Sequence, residues 1–298
     1  SQIETYKEGI AEVVAETDEE LMEKYFGGEH FTDEEIRKGI KLGASNGDIA
    51  PVLCGSSVQK AGVRLLMESI IKFMPAHCEK TKVKVLDSAT REPIEISIDE
   101  KQPIVQVFKT IADPFVGKIS FLKVISGTMT ADSILYNVNK EKPEKISAIF
   151  AMRGKQQINL SKLVCGDIGA VAKLTVTGTN DTLCSKEKPV LMEPIQFPEP
   201  MLGMAIMPKA KGDEDKIGSG LNRLLEEDPT FKMYLHPETK QTLIYGTGDQ
   251  HLDVIISKLK NKFKVEVELV DPIVPYRETI KKKVKVEGKH KKQSGGHG

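Results

Sequence analysis

The hydrophobic pattern of the chain changes period twice, and this change limits the possible folds more than any other feature. Up to about residue 78 apolar residues recur at helical spacing, and from Thr81 they alternate as in strands. Beyond Pro200 helical and strand patterns follow one another. Since 298 residues exceed the usual size of one hydrophobic core, several domains are expected. The predicted fold class is multidomain: α/β first, then all-β, then α+β.

Helix boundaries are marked clearly in the first 78 residues. Thr17 with Glu20, and Thr32 with Glu35, fit capping boxes, in which a hydroxyl and a carboxylate satisfy the free amides of a helix start. Gly47 fits a helix end, as do the paired glycines at 27–28. The segment is therefore predicted to hold several short helices.

One α/β unit is predicted at the end of this helical segment. The apolar run 49–53 fits a buried strand, and a turn of small residues leads into a helix that ends before Pro75. Ligands of such units bind at the carboxyl ends of the strands. The turn at Gly55, Ser56 and Ser57 is therefore either an ordinary connection or the rim of a binding site.

The middle of the chain is predicted to be a β-barrel. Short apolar runs with period-two alternation are separated by turn residues, of which Gly117, Gly127 and Gly166 are examples. Closure into a small barrel would remove the exposed edges of these strands.

The last third follows a proline-rich segment and is predicted to be ferredoxin-like. Strands are expected at 201–207, 231–235, 241–245 and 265–270, with helices at 213–227 and 248–263. The resulting order β-α-β-β-α-β is the split ferredoxin-like arrangement, which hosts many functions.

Composition excludes some classes of protein. The four cysteines, Cys54, Cys78, Cys165 and Cys184, lack C-x-x-C spacing, so buried thiols in a reducing cytosol are expected rather than a zinc site. With 43 basic and 43 acidic residues, attraction to nucleic acid requires a local patch. No run approaches the length of a membrane span, so a cytoplasmic location without a membrane partner is predicted.

One basic cluster lies near the end of the chain. It is either a solvated tail or a contact for RNA, and because aromatic residues are sparse there, phosphates are favoured over bases. His251 has no recognisable nucleophile or paired carboxylate beside it in the sequence, so a packing role is predicted. No catalytic or metal-binding residue is assigned. The RNA-contact candidates are Lys281, Lys282, Lys283, Lys289, Lys291 and Lys292.

Five phrases distributed over the chain resemble translation elongation factor G. The basic run 289–292 and the glycine-rich residues after it are more similar to the elongation-factor-G-like paralogue of some bacteria. The phrases are Ala-Asp-Pro-Phe-Val-Gly-Lys at 112–118, Cys-Gly-Asp-Ile-Gly-Ala-Val-Ala at 165–172, Phe-Pro-Glu-Pro at 197–200, Glu-Glu-Asp-Pro-Thr-Phe at 226–231 and Pro-Tyr-Arg-Glu-Thr-Ile at 275–280.

The resemblance implies a division into four segments. Residues 1–78 would be the C-terminal part of a P-loop GTPase domain, and 79–195 the translation-factor β-barrel, domain II. Residues 196–275 would be the ferredoxin-like domain III, and 276–298 the start of domain IV. Gly55, Ser56 and Ser57 would then be the guanine-contacting loop.

The chain departs from the family pattern at three landmarks. Ser57 stands where the usual guanine loop has alanine, and Asn180 where a turn late in the barrel has glycine. Asp249-Gln250 replaces Glu-Leu before His251. Serine leaves backbone donation intact, and asparagine also tolerates a left-handed backbone, so both turns are expected to survive.

The sequence contains no P-loop motif G-x-x-x-x-G-K-[ST], so this chain alone is predicted not to hydrolyse GTP. The resemblance implies an internal fragment of a ribosome-binding GTPase that drives translocation, with ribosomal RNA as partner. GTP or GDP with magnesium would bind the intact protein but not tightly this chain. The alternatives are a ribosome- or RNA-binding module without hydrolysis and a ribosomal protection factor.

Overall fold

A computed structural model describes residues 2–98, 101–113, 116–154 and 156–288, which divide into two compact units. The first unit comprises Ser1–Gln106, Leu122–Val171 and Asp181–Glu193. The second comprises Val107–Phe121, Ala172–Asn180 and the residues from Pro194 onward.

The first unit begins with helices, of which the third has the predicted capping box. Thr32 Oγ1 accepts the Glu35 N–H at 3.3 Å, and the Glu35 carboxylate accepts the Thr32 N–H at 2.7 Å. Gly47 ends this helix in the left-handed conformation, as predicted. The helices are α1 (Gln2–Ala15), α2 (Glu19–Phe26), α3 (Asp33–Asn46) and α4 (Val63–Phe73), followed by a 3₁₀ turn at His77–Glu79.

Two predictions for this helical segment are wrong. Asp18, not Thr17, caps α2 by accepting the Glu20 N–H at 2.9 Å. Thr17 Oγ1 instead donates to the carbonyl of Val14 at 2.7 Å, so its hydroxyl is occupied by the end of α1. Residues 49–53 form no strand, because within the described part of the chain no strand lies beside them to complete a ladder.

The all-β region follows, and its described residues form thirteen strands in three sheets. Strands β13, β1 and β2 form one sheet, and β10 pairs with β5. The largest sheet has the order β7-β6-β12-β3-β4-β11-β8-β9. Their bounds are β1 (Lys82–Asp87), β2 (Pro93–Ser97), β3 (Ile104–Asp113), β4 (Gly117–Ser126), β5 (Thr128–Thr130), β6 (Ile134–Asn137), β7 (Lys142–Lys145), β8 (Ile149–Arg153), β9 (Gln156–Leu160), β10 (Lys162–Val164), β11 (Ile168–Ala172), β12 (Thr182–Cys184) and β13 (Val190–Leu191).

Alternation along these strands produces the core of the first unit, as predicted. Val85, Ile104, Ile125 and Leu191 are buried in one apolar cluster. The turn after β4 needs glycine, because a Cβ on Gly127 would lie 2.4 Å from a backbone oxygen and its φ is +69°.

The second unit contains the predicted β-α-β-β-α-β order. Its four-stranded antiparallel sheet has the order β15-β16-β14-β17. A π-helical turn, Leu259–Phe263, extends the second helix. The elements are β14 (Leu202–Pro208), α5 (Glu214–Glu227), β15 (Lys232–Leu235), β16 (Thr242–Gly246), α6 (Asp249–Lys258) and β17 (Val267–Val270).

Both helices pack on one face of this sheet. Leu221 and Leu224 of α5 and Leu252 and Ile255 of α6 are fully buried with Ile244 of β16. Burying each such side chain contributes about 1.5–3 kcal/mol, so this core stabilises the element order that the periodicity predicts.

Candidate functional site

The turn predicted as a guanine-contacting loop is a closed loop before α4. Ser56 and Ala61 exchange two backbone hydrogen bonds of 3.0 and 3.1 Å, and the Ser56 hydroxyl accepts the Gln59 N–H at 3.2 Å. A Cβ on Gly55 would lie 2.9 Å from the Ala61 carbonyl oxygen, so this close approach requires glycine. Ser57 is exposed at the loop surface.

Beside this loop lies a cavity of about 270 Å³. Gly62 begins α4 with φ +79° and without a side-chain cap, so the first amides of the helix are not covered by a capping side chain. The loop brings Gly55, Ser56 and Ser57 to one wall of the cavity. Guanine contact by these residues stays a prediction.

A broad apolar surface surrounds this segment. A cavity of about 510 Å³ lies between α1 and residues 49–53, and Val52 is 88% exposed. Ile3 of α1 and Ile71 of α4 are 68% and 78% exposed. Leu65, Leu66 and Ile70 of α4 are about half exposed as well. Exposed apolar side chains in such number are typical of a face that another structural element covers. Cys54 is exposed too, contrary to the expectation of buried thiols.

The basic cluster is described only in part. Lys281, Lys282 and Lys283 are exposed in a segment without helix or strand. Lys289, Lys291 and Lys292 lie outside the described residues. Arg277 pairs with Glu238 of the hairpin between β15 and β16. RNA contact by the lysines therefore stays a prediction.

Two of the phrases that carry the family resemblance, 112–118 and 226–231, meet within the second unit, which the sequence did not reveal. The carboxylate of Glu227 accepts the Ala112 N–H at 3.1 Å and pairs with Lys258 at 2.7 Å and Lys262 at 2.8 Å. Lys262 also donates to the Ala112 carbonyl at 3.3 Å. Glu226, the neighbouring residue, lies 3.8 Å from Lys118.

Glu227 is held as an anion by these contacts. Its side chain is 11% exposed, and although burial raises the pKa, hydrogen bonds from Lys258, Lys262 and the Ala112 N–H outweigh burial and lower the pKa. The sequence signal that could have indicated this contact is the pair Lys258 and Lys262, since residues four apart share a helix face and can pair with the same carboxylate.

A second contact joins the end of α5 to α6. Nδ1 of His251 accepts the Thr247 N–H at 3.0 Å, so the ring proton lies on Nε2, which donates to Asp228 at 2.9 Å. The other oxygen of Asp228 accepts the N–H and hydroxyl of Thr230 at 3.0 and 2.6 Å. Phe231 packs edge-on against the ring.

The Asp228 corner, formed by Asp228, Thr230 and His251, is held together by charge-assisted hydrogen bonds. Burial raises the pKa of Asp228, but the hydrogen bonds from Thr230 and His251 together lower the pKa below its usual value. Both ring nitrogens of His251 are engaged by protein groups, as the predicted packing role requires.

Asn180 does more than tolerate its left-handed backbone. It has φ +73°, its side-chain amide donates to the Ile195 carbonyl at 3.0 Å, and its side-chain oxygen accepts the Ile195 N–H at 2.9 Å. A glycine would fit the backbone but could make neither bond.

Metal-binding and membrane-spanning features are absent from the described part of the chain. Its residues include no group of three or more His, Cys, Asp or Glu side chains placed to hold a metal ion. None of its helices has the length and apolar character needed to cross a membrane.

Comparisons with known proteins agree with the element order. The model of elongation factor G domain 2 matches residues 104–186, and that of elongation factor G domain III matches residues 197–271. A crystal structure of a protein from Thermus thermophilus is similar over 99% of this chain, with a TM-score of 0.78 and 31% identity. The chain spans 42% of the length of that protein. With both domain models matched in consecutive order, the chain belongs to the elongation factor G family.

Proposed function

We propose that the chain is part of a ribosome-binding translational GTPase of the elongation factor G type, in which it acts as a docking and relay module. The succession of the two family domains in one chain is the observation that carries the proposal. The protein containing it would catalyse GTP-dependent translocation, and this chain would not hydrolyse GTP alone. The cytoplasm is the proposed location.

The first 78 residues are proposed to be the C-terminal part of a GTPase domain. Four helices and the loop at Gly55 surround an apolar surface that has no sheet beside it in the described part of the chain. A central parallel sheet buries its faces under helices, so such a sheet is a suitable cover. The proposed boundaries of the following domains are 79–195, 196–275 and 276–298.

Within this domain, Gly55, Ser56 and Ser57 are proposed to contact the guanine base. The loop is compatible with this role because α4 begins without a side-chain cap, so its first backbone N–H groups are not covered by a capping side chain. GTP or GDP with magnesium would bind only when the phosphate-binding segment is present.

The lysines near the end of the chain are proposed to contact ribosomal RNA phosphates. Lys281, Lys282 and Lys283 are consecutive and exposed, as phosphate contacts require. Lys289, Lys291 and Lys292 would extend the patch.

Sedimentation with ribosomes at increasing salt tests this proposal. The variant K281Q/K282Q/K283Q should bind more weakly, and the salt slope should become shallower by about 0.7–0.9 for each phosphate contact that the substitutions remove. The matched control removes three exposed lysines elsewhere, Lys84, Lys186 and Lys188, and should bind as wild type. Absence of sedimentation at low salt would contradict ribosome binding, and equal losses in both variants would contradict the assigned patch.

GTP should not change the sedimentation of this chain. Strong ribosome binding by a longer gene product that also lacks nucleotide binding would instead favour the module without hydrolysis. Displacement of a bound antibiotic by that product would favour the protection factor.

A further inference from the structure

We infer that two polar locks, one on the linker and one on the helices of the ferredoxin-like domain, fasten this domain to the second unit's ribbon, so that it does not swing freely on its linker. The ribbon is defined as residues 107–121 with 172–180, and the linker as residues 194–200. Both locks lie within the second unit. The locks do not depend on ribosome binding, since they are contacts within the isolated chain.

The linker lock is the pair of hydrogen bonds between Asn180 and Ile195. The side chain closes a ring with the linker backbone through bonds of 2.9 and 3.0 Å. The Asn180 N–H also donates to the Val107 carbonyl at 2.8 Å, so the asparagine is itself fixed to β3. The linker contains Pro194, Pro198 and Pro200 and no helix or strand, so it has few backbone hydrogen bonds of its own.

The carboxylate lock is Glu227 between the ribbon and the helices. It receives the Ala112 N–H and two ammonium groups, while Lys262 binds the Ala112 carbonyl. Both backbone polar groups of one ribbon residue are therefore used by the ferredoxin-like domain. Charge-assisted bonds of this kind are about twice as strong as neutral ones.

The separation of the locks gives them their effect. Val107, to which Asn180 is bonded, precedes Ala112 by five residues on β3, or about 17 Å at 3.3 Å per residue. The carboxylate lock alone would permit the domain to pivot about it, whereas a linker held at a second point this far away restricts that motion. The ribbon between them is held together by Thr179 bonded to Thr110 at 3.0 Å. Reorientation of the ferredoxin-like domain must therefore move the ribbon too or break a lock.

Amide hydrogen exchange tests each lock, because Ile195 and Ala112 each donate an N–H to a lock side chain. In wild type both amides should exchange at least about tenfold more slowly than in an unfolded chain. N180G should release the Ile195 amide, and N180D, which keeps the acceptor, should retain part of its protection. E227A should release the Ala112 amide, and E227Q, which keeps one acceptor oxygen, should retain part of its protection. E226A, a control for the weaker pair with Lys118, should leave the Ala112 amide protected.

Residual dipolar couplings test whether the locks orient the domain. Amides of the ribbon and of β14–β17 should fit one alignment tensor in wild type and in E226A, and two tensors in N180G/E227A. Two tensors in wild type, or one tensor in a folded double variant whose Ile195 and Ala112 amides are released, would overturn the inference. The double variant is counted as folded when amides of the Leu221–Ile244 core remain protected.

Discussion

Replacing Asp228 by Asn should destabilise the ferredoxin-like domain far more than the small change in shape suggests. The aspartate accepts bonds on both oxygens, from Thr230 on one and from Nε2–H of His251 on the other. Asparagine has one acceptor oxygen, and its NH₂ group would face a donor on the other side. The D228N substitution therefore tests the assigned proton position of His251 as well as the contribution of these hydrogen bonds to stability.

The expected cost follows from the hydrogen bonds that the substitution removes. Hydrogen bonds to a charged group contribute about 1.5–3 kcal/mol each. Since the Asp228 side chain is 23% exposed, water replaces part of that contribution. We therefore expect D228N to lower the free energy of unfolding by about 2 kcal/mol, which corresponds to a drop of roughly 10 °C in Tm for a domain of this size.

Urea unfolding followed by circular dichroism measures this loss, since the chain has no tryptophan for fluorescence. Wild type, D228N, H251F and the double variant form a cycle, in which a coupling energy of about 1 kcal/mol or more is expected. The control D253N changes an exposed aspartate of α6 and should stay within about 0.5 kcal/mol of wild type. A D228N variant as stable as D253N, or additive effects in the cycle, would refute the reasoning.

The same variant has a defined pH dependence. Because the folded state lowers the pKa of Asp228, its contribution is complete above the usual aspartate range and is lost as pH falls through the lowered pKa. The stability difference between wild type and D228N should therefore shrink on acidification from about pH 5. A difference that stays constant down to about pH 2 would contradict the role of the carboxylate.

Three further predictions concern other elements. The Glu35 carboxyl should titrate by NMR with a pKa of about 2, below its ordinary 4.5, because Lys24 and the capping box stabilise the anion, and a midpoint near 4.5 would contradict these contacts. G55A should weaken amide protection in its loop, since the methyl group would lie 2.9 Å from a backbone oxygen, while G178A, with no atom within 4 Å, should behave as wild type. L224A should lower the free energy of unfolding in urea by about 2–5 kcal/mol, because Leu224 is fully buried. The control L235A changes an exposed leucine and should lower it little, and equal losses in the two variants would contradict the assignment of Leu224 to the core.

Periodicity predicted the element order where one face of each element is buried. The ferredoxin-like domain is the clearest case, because each of its helices and strands buries one face in the same core. The capping box of Thr32 was readable because all its partners lie within four residues. The run 49–53 failed for the opposite reason, since a strand requires a neighbour that no local pattern specifies.

The contacts at the site could not be predicted in the same way. Glu227 and Ala112 are 115 residues apart, and neither residue type implies the other. Asn180 was expected only to tolerate a left-handed turn, and its two bonds to Ile195 depend on where the linker passes. The phrases identified the family, but only the fold shows that two of them, 112–118 and 226–231, lie in contact.

The coding sequence immediately upstream of the Ser1 codon tests the central proposal most directly. The account predicts an in-frame segment with a P-loop and the base-specificity motif Asn-Lys-x-Asp, which would supply the sheet for the apolar surface of residues 2–78. A native start codon at that position, with no nucleotide motif in frame, would contradict the assignment of these residues to a GTPase domain.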